Sequence, residues 1–505
     1  MSAGEVLVVG AGPAAQRFAE RLRHHGHRGG VTLLGAEPQA PYQRALLSCV
    51  LDGTLPAPAL ALPALPAGPR LHTGVTVTRI DRARRLVYGD DGSVHPYDVL
   101  VLATGSRAVV PRIPGLPAGG AAALRSLADA RRCAAGPRGA AVVVGGGPLA
   151  VESAAALHRA GHETVLVHRG PHLLDRHLDA AGGALLTRSL EDLGIEVHTG
   201  RTAVAYCAGK LTLDDGRVLA ADTLLLCTGV VPETGLARRA GLTVRTGVVV
   251  DGLLRTDDPH IHAIGDCAEH PGDTAGHLEP AWAQAESLAR TLTGTPVRHL
   301  GTRRITRLRV PGIDLVVLGR GGPAPEGAEV VAFSDPARRR HARLTLHDGR
   351  ITGAVLLGLP RAIAAVSRLH ELDLPVPAGR LEFLLGIAPA APGADALPDE
   401  AVVCRCNNVT RHTITEACRS GAADVAQVAA ATRATTGCGG CTDAVRALCR
   451  ALPAGRGAGP DVTPRDQRAA PPTPAGPAAD QDHGPGDPAG ATDEPGRAPR
   501  RSGER

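Results

Sequence analysis

Aromatic side chains are scarce in this chain: its 505 residues hold one Trp, four Tyr and three Phe, and Lys210 is the only lysine. Aliphatic residues therefore carry the 43% hydrophobic content, enough for a sizeable core spread over roughly three or four domains. No uninterrupted apolar run reaches membrane-spanning length, which excludes a spanning helix. The first residues are not expected to be a targeting segment. The apolar start Glu5–Val9 has no positive residue before it and a glycine turn directly after it, so it reads as a strand. Concentrated charge is absent: the net charge of +5 is small for this length and comes in part from arginines near the C-terminus. Neither nucleic acid nor an anionic membrane is implied as a partner. Eleven cysteines, an odd number in a long chain without a signal-like start, argue against a disulfide framework and favour a reducing compartment. The chain is expected in the cytoplasm.

What is present begins with a repeat. Val6–Val9 leads into Gly10-Ala-Gly12-Pro-Ala-Ala15, and Val142–Val144 into Gly145-Gly-Gly147-Pro-Leu-Ala150. Sixteen positions after Gly10 stands Gly26, and sixteen after Gly145 stands Gly161, each followed by a histidine and a second apolar strand. One beta-alpha-beta unit is used twice. The first glycine permits a tight turn, the second lets backbone approach a pyrophosphate, and the small third residue lets helix pack on strand. Phosphate would then rest on the helix N-terminus. Glu37, at the end of the second strand of the first unit, stands where a ribose diol needs an acceptor. The matching strand of the second unit ends in His168-Arg169, and a basic end permits a 2'-phosphate. Two further strands end alike, in Thr104-Gly105-Ser106 and Thr228-Gly229, and a third in Gly265-Asp266-Cys267.

Near the end of the chain, Cys404-Arg-Cys406 is answered after 31 residues by Cys438-Gly-Gly-Cys441. Two tight thiol pairs make a metal site, and four thiolates suit zinc or a [2Fe-2S] cluster equally. Three short helices are expected here, over 410–421, 424–432 and 442–451. Between residues 301 and 387, strand-like runs at Ile313–Gly319 and Ile351–Leu357, an Asp348-Gly349 turn and a helix-like Pro360–His370 predict a small α+β domain. After Pro453 the composition turns to Pro, Gly, Ala, Asp and Arg, which cannot bury enough surface to offset ordering.

With these motifs in this order, the chain resembles the flavoprotein reductases with two dinucleotide-binding domains, from about Val6 to Arg290. The resemblance implies FAD on the first unit and NAD(P)H on the second. Gly10, Gly12, Ala15, Glu37, Thr104, Gly105 and Gly265 would bind the flavin cofactor, with Asp266 at its ribityl and phosphate region. Gly145, Gly147, Ala150 and Arg169 would bind the nucleotide. It also implies that the helix opening at Pro280-Ala-Trp282 directs its positive end at the flavin, and that Glu152 contacts the nicotinamide side. A narrower resemblance rests on Pro41-Tyr42-Gln-Arg44 through Gly53 and on Leu173–Asp179. Both are similar to the electron-input half of assimilatory nitrite reductase large subunits and to nitrate reductase electron-transfer subunits, which puts Arg44 on the flavin side. In that family the quartet Cys404, Cys406, Cys438 and Cys441 is a bacterioferritin-associated-ferredoxin-like module carrying [2Fe-2S].

The expected fold is α/β, with two Rossmann-like dinucleotide-binding domains, a small α+β interface domain and a small helical [2Fe-2S] module. Residues 1–115 and 246–300 would form the FAD domain, 116–245 the NAD(P)H domain, 301–390 the interface domain and 400–452 the cluster module, with 453–505 a disordered tail. The expected function is NAD(P)H-dependent electron transfer to a redox partner protein, a nitrate or nitrite reductase catalytic subunit, with a homodimer permitted. Two alternatives stand beside it. One is a stand-alone NAD(P)H oxidase or disulfide reductase using Cys49, and the other a non-catalytic module with structural zinc. Cys133, Cys207, Cys227, Cys267, Cys418 and Cys449 read as buried small hydrophobes.

Overall fold

The computed structural model describes residues 4–65, 67–116, 122–271, 273, 276–319, 324–386, 397–404, 407, 409–436 and 441–451. Cys406, Cys438 and the expected tail lie outside these residues.

Val6–Val9 is buried at every position and runs parallel to Val31–Gly35 on one side and Val99–Leu102 on the other. A strand covered on both faces reads as an unbroken aliphatic run, which is what the sequence shows. Arg70–Thr73 and Ile261–Ala263 complete a five-stranded parallel sheet. The helix Pro13–His24 starts with Pro at its first position, where the missing N–H costs nothing, and buries Ala15, Phe18, Ala19 and Leu22 along one face. Arg21, Arg23 and His24 in its last turn suit the negative end of the helix.

The second unit repeats the first element by element. Ala140–Val144 lies between Glu163–His168 and Thr223–Leu226, with Glu196–Thr199 and Ala122–Ala123 outside them, all parallel. The helix Pro148–Arg159 again opens on Pro. Each unit carries a three-stranded antiparallel sheet ahead of the strand ending in Thr-Gly: Val77–Asp81, Leu86–Gly89 and Val94–Pro96 in one, Ala203–Cys207, Lys210–Leu213 and Val218–Ala220 in the other. Ser106–Ala108 pairs antiparallel with Val230–Pro232, tying together the exits from the two parallel sheets. Ile261–Ala263 returns to the first sheet only after the second is complete, so the second unit is inserted in the first.

One buried position of that returning strand makes stability depend on pH. His262 is 4% exposed, its Nδ1 has no hydrogen-bond partner among the described residues, and burial pulls its pKa down to about 4. The folded chain then resists a proton that the unfolded chain accepts near pH 6.5, so stability present above pH 6.5 is lost as pH falls toward 4. The loss should approach about 3 kcal/mol, at roughly 1.4 kcal/mol per pH unit. Urea unfolding of the wild type and His262→Leu at pH 7 and pH 4.5 checks this: the variant should lose less stability on acidification.

A third sheet is antiparallel, in the order Ile305–Arg307, Leu315–Gly319, Arg350–Leu357, Arg340–His347, Glu329–Asp335, with the helix Pro360–Leu372 packed on one face. Asp348 and Gly349, at φ of 49° and 68°, form the tight hairpin turn expected of an Asp-Gly pair. The last module pairs Val402–Cys404 with Val409–Thr410, followed by helices Arg411–Arg419, Val425–Thr432 and Thr442–Ala451. Thr410 and Asp424 cap the first two by accepting from the Thr413 and Gln427 backbone N–H groups. Cys404, Ile414 and Leu448 join the same buried cluster as Leu46, Val143 and Leu225, so the module packs on the core of the preceding units.

Of the six cysteines expected to be buried, Cys133, Cys267 and Cys418 are, while Cys227 and Cys449 are half-buried. Cys207 is exposed, contrary to expectation. It ends an edge strand at a hairpin whose Ala208-Gly209 turn is left-handed and leads away from the core.

Candidate functional site

The paired glycines do different work at each position. Gly10 and Gly145 have φ of +114° and +145°, and a Cβ added to them would lie 2.2 Å from the Ala103 carbonyl oxygen and 2.3 Å from that of Cys227. The strand ending in Thr-Gly therefore requires glycine there. A Cβ on Gly12 or Gly147 would meet nothing within 4 Å. Space over the start of both helices stays open, where phosphate binds helix N-termini. Ala15 and Ala150 lie fully buried beneath, holding helix close to strand.

These turns open onto a continuous cleft of about 2090 Å³. That is well above the roughly 300–1,000 Å³ of a pocket for a drug-sized ligand. Gly10, Gly12, Glu37, Arg44, Thr104, Gly105, Gly265, Asp266, Gly145, Gly147, Glu152 and Arg169 all line it. Trp282 is half-buried and is not among the lining residues, although its helix contributes Leu278, Glu279 and Ala281. Cys49 is also not among them. Its thiol packs against the buried cluster, and burial pushes its pKa up, the opposite of a reactive thiolate.

At the end of the second strand of the first unit, Glu37 is held from three directions. It accepts from the Tyr42 hydroxyl at 2.7 Å, from Gln39 at 2.8 Å and from the Arg44 guanidinium. Burial, reinforced by the bond to Glu37 against the pull of Arg44, pushes Tyr42 up to about 12, so its hydroxyl stays a donor. A carboxylate has about four acceptor positions, which leaves Glu37 one more. Asp266 accepts from Ser106 Oγ at 2.6 Å, from Arg125 at 2.9 Å and from the Gly276 N–H at 2.8 Å. Thr104 donates to the Glu233 carbonyl at 2.7 Å, fixing the turn before Gly105.

In the second unit Glu152 is 1% exposed and is gripped by Arg309, which precedes the second strand of the third sheet, with the backbone N–H at 3.0 Å from Oε1 and the guanidinium at 3.0 and 3.2 Å from Oε2. Arg309→Ala removes the guanidinium from a buried carboxylate and should cost about 3–5 kcal/mol, whereas replacing both partners with leucine should cost much less. Chemical denaturation of the single and double variants checks the order. Arg169 is exposed at the end of its strand and lines the cleft together with Arg176 and Arg201.

The cysteine module reaches the same cleft. Cys404 and Cys441 are 1% and 8% exposed, and Cys441 lines the cleft beside Val403. The Asn407 side-chain nitrogen lies 3.9 Å from Cys404 Sγ and donates to the Arg433 carbonyl at 2.6 Å and Thr436 Oγ1 at 3.0 Å, which ties the first knuckle to the approach of the second. The Arg433 guanidinium donates to the Ala61 carbonyl, anchoring the module on the first unit. Cys441 precedes the helix Thr442–Ala451, whose positive end favours thiolate.

Residues 4–285 match the pyridine nucleotide-disulphide oxidoreductase family, and residues 402–450 match the BFD-like [2Fe-2S] binding domain. The chain belongs to the pyridine nucleotide-disulphide oxidoreductases. This oxidoreductase is 32% identical over 465 residues to the nitrite reductase [NAD(P)H] large subunit of Klebsiella oxytoca, covering 87% of this chain and 48% of that protein. It is 29% identical over 467 residues to the assimilatory nitrate reductase electron transfer subunit of Bacillus subtilis (strain 168), covering 89% and 60%. The chain thus spans about half to three-fifths of the length of these curated relatives. Among solved structures it is similar to the covalent putidaredoxin reductase–putidaredoxin complex, with a TM-score of 0.67, 26% identity, and coverage of 75% of this chain and 98% of that one. The oxidoreductase uses FAD and NAD(P)H and carries a [2Fe-2S] module. The open space over two helix starts fits the first two, and the buried Cys404 and Cys441, the latter lining the cleft, fit the third. Zinc in the quartet gives way to the cluster.

Arg125 and Arg309, which hold Asp266 and Glu152, were not among the expected site residues. Neither lies in a motif. Their partners stand 141 and 157 residues away, and no local pattern signals such a pairing.

Proposed function

We propose that this oxidoreductase takes electrons from NAD(P)H and delivers them singly to a catalytic subunit of nitrate or nitrite reduction in the cytoplasm. One observation carries the reading: the cleft lined by both glycine turns is also lined by Cys441. FAD, when bound, supplies the exchange of a two-electron hydride for single electrons that a [2Fe-2S] cluster can carry.

The chain's own residues bind and orient. Gly10 and Gly145 make the turns, and the space above Gly12 and Gly147 takes the pyrophosphates. Ala15 and Ala150 seat the two helices. Glu37, kept in place by Tyr42, Gln39 and Arg44, offers its remaining acceptor position to a ribose. Asp266 with Arg125 and Ser106 presents a fixed set of donors and acceptors to the flavin's ribityl and phosphate region, and Thr104 and Gly105 shape the turn beside it. The helix Leu278–Leu292 brings its positive end to the cleft through Leu278 and Glu279. Glu152, locked by Arg309, faces the nicotinamide side, and Arg169 offers a cation to a 2'-phosphate. Cys404, Cys406, Cys438 and Cys441 would hold the cluster at the exit.

Visible spectroscopy and anaerobic stopped-flow mixing test the reading. Purified protein should show flavin bands together with iron and labile sulfide, and NADH or NADPH should bleach the flavin bands before those of the cluster. Protein lacking either chromophore, or indifferent to both nucleotides, would sink it. Addition of a nitrite or nitrate reductase catalytic subunit together with nitrite or nitrate as the terminal oxidant should then restore the oxidised spectrum.

A further inference from the structure

Outside the cysteine quartet, a second cluster of ligating side chains lies against the cleft. We propose that His270, Asp273 and His299 bind one divalent transition-metal ion, with Zn²⁺ the best suited. One ligand atom from each residue lies within 4.8 Å of the others. The side chains are 8%, 5% and 3% exposed. Asp273 Oδ2 is 2.6 Å from His299 Nε2 and 3.8 Å from His270 Nδ1, and the two imidazoles meet edge to face at 4.7 Å. Tetrahedral zinc at bond lengths of about 2.0–2.2 Å separates its ligand atoms by roughly 3.3 Å, between these two distances, so small side-chain rotations would seat it. Imidazole and carboxylate are ligands this class of ion takes.

Two independent features point to an occupant. His270 Nδ1 and Asp273 Oδ1 are buried with no hydrogen-bond partner among the described residues. Leaving such an atom unsatisfied costs about 1–3 kcal/mol, and native structures seldom do so without a ligand. The second feature is charge. Asp273 places an acidic side chain, 5% exposed, between the His270 and His299 imidazoles. No arginine or lysine among the described residues is paired with it; its partners are imidazoles and the Gln284 amide at 2.7 Å. A buried carboxylate facing two imidazoles is completed by a cation.

The surroundings also orient the site. Gln284 donates to Asp273 through Nε2 while its Oε1 accepts from the Gly265 N–H at 2.7 Å, a supporting contact of the kind that holds metal ligands in place. The His299 backbone N–H donates to the Gly252 carbonyl at 2.8 Å, fixing the chain at that residue. The ion would thereby join the loop after Gly265–Asp266 to the connection that leads into the third sheet. His270 and Asp273 line the cleft, so the fourth position faces it and takes water.

The test uses holoprotein washed with a chelator that leaves the flavin and cluster bands intact. Calorimetric titration with Zn²⁺ should find one site per chain, and Zn²⁺ should raise Tm. His299→Ala and Asp273→Asn should weaken binding by about 100-fold or more with the flavin and cluster bands unchanged. If either fails to fold, His270→Ala serves instead, because His270 makes the longest contact. His299→Gln retains a donor to Asp273 but no ring nitrogen; it should keep the Tm of the zinc-free protein and lose the response to Zn²⁺. Absence of uptake, or uptake that survives His299→Ala and Asp273→Asn, overturns the proposal and leaves a hydrogen-bonded cluster only.

Discussion

Cys441→Ser should strip iron and labile sulfide from the protein while the flavin spectrum persists. Cys441 is 8% exposed at the head of the helix Thr442–Ala451, and serine nearly preserves its volume, so the fold should tolerate the change. A hydroxyl at neutral pH does not replace a thiolate ligand. Loss of a group that merely supports a metal ligand costs roughly 10–100-fold in metal affinity or activity, and loss of the ligand should cost at least as much. Electron delivery to a protein acceptor should fall accordingly, whereas NAD(P)H-dependent reduction of a dye that accepts at the flavin should largely survive. Iron and sulfide analysis with the two assays in parallel decides the matter. Equal loss in both assays would place the cysteine in the fold rather than in the exit path.

Gly147→Val should weaken nucleotide binding severely without unfolding the protein. The added side chain meets no protein atom within 4 Å of its Cβ, and Gly147 has φ of −81°, a conformation open to any residue. It fills the space above the start of the helix Pro148–Arg159, where the pyrophosphate of NAD(P)H would lie. The Kd for NAD(P)H should rise by about 100-fold, close to 2.7 kcal/mol, with Tm, flavin and cluster spectra unchanged. Dithionite should still reduce the variant fully. Gly145→Ala forms the contrast: its Cβ would lie 2.3 Å from the Cys227 carbonyl oxygen at a φ of +145°, so that variant should lose stability first. Equilibrium nucleotide titration and thermal melts of both variants separate the two roles. Unchanged nucleotide affinity in Gly147→Val would mean that the second unit binds something else.

The parts of the site that could be read from the chain are those with local spacing. The turns at Gly10 and Gly145, the strands leading into them, the three helices of the last module and the Asp348-Gly349 hairpin all follow from patterns a few residues long. Trp282 shows the limit of such reading, since helical position alone does not say which side chains of a helix start enter a cleft. Cys49 shows it too: the resemblance set its segment beside the flavin, but its side chain packs against the core cluster near the helix Pro148–Arg159.

The sequence by itself determined the doubled dinucleotide unit, the cysteine quartet and the family they belong to, because glycine turns and thiol pairs carry their chemistry in short spacing. Only the tertiary structure decided that Arg125 and Arg309 hold Asp266 and Glu152, that Cys441 opens on the cleft shared by both glycine turns, and that His270, Asp273 and His299 converge. Those contacts join residues far apart in the chain, and they arise from how sheets and helices pack rather than from any neighbouring residues.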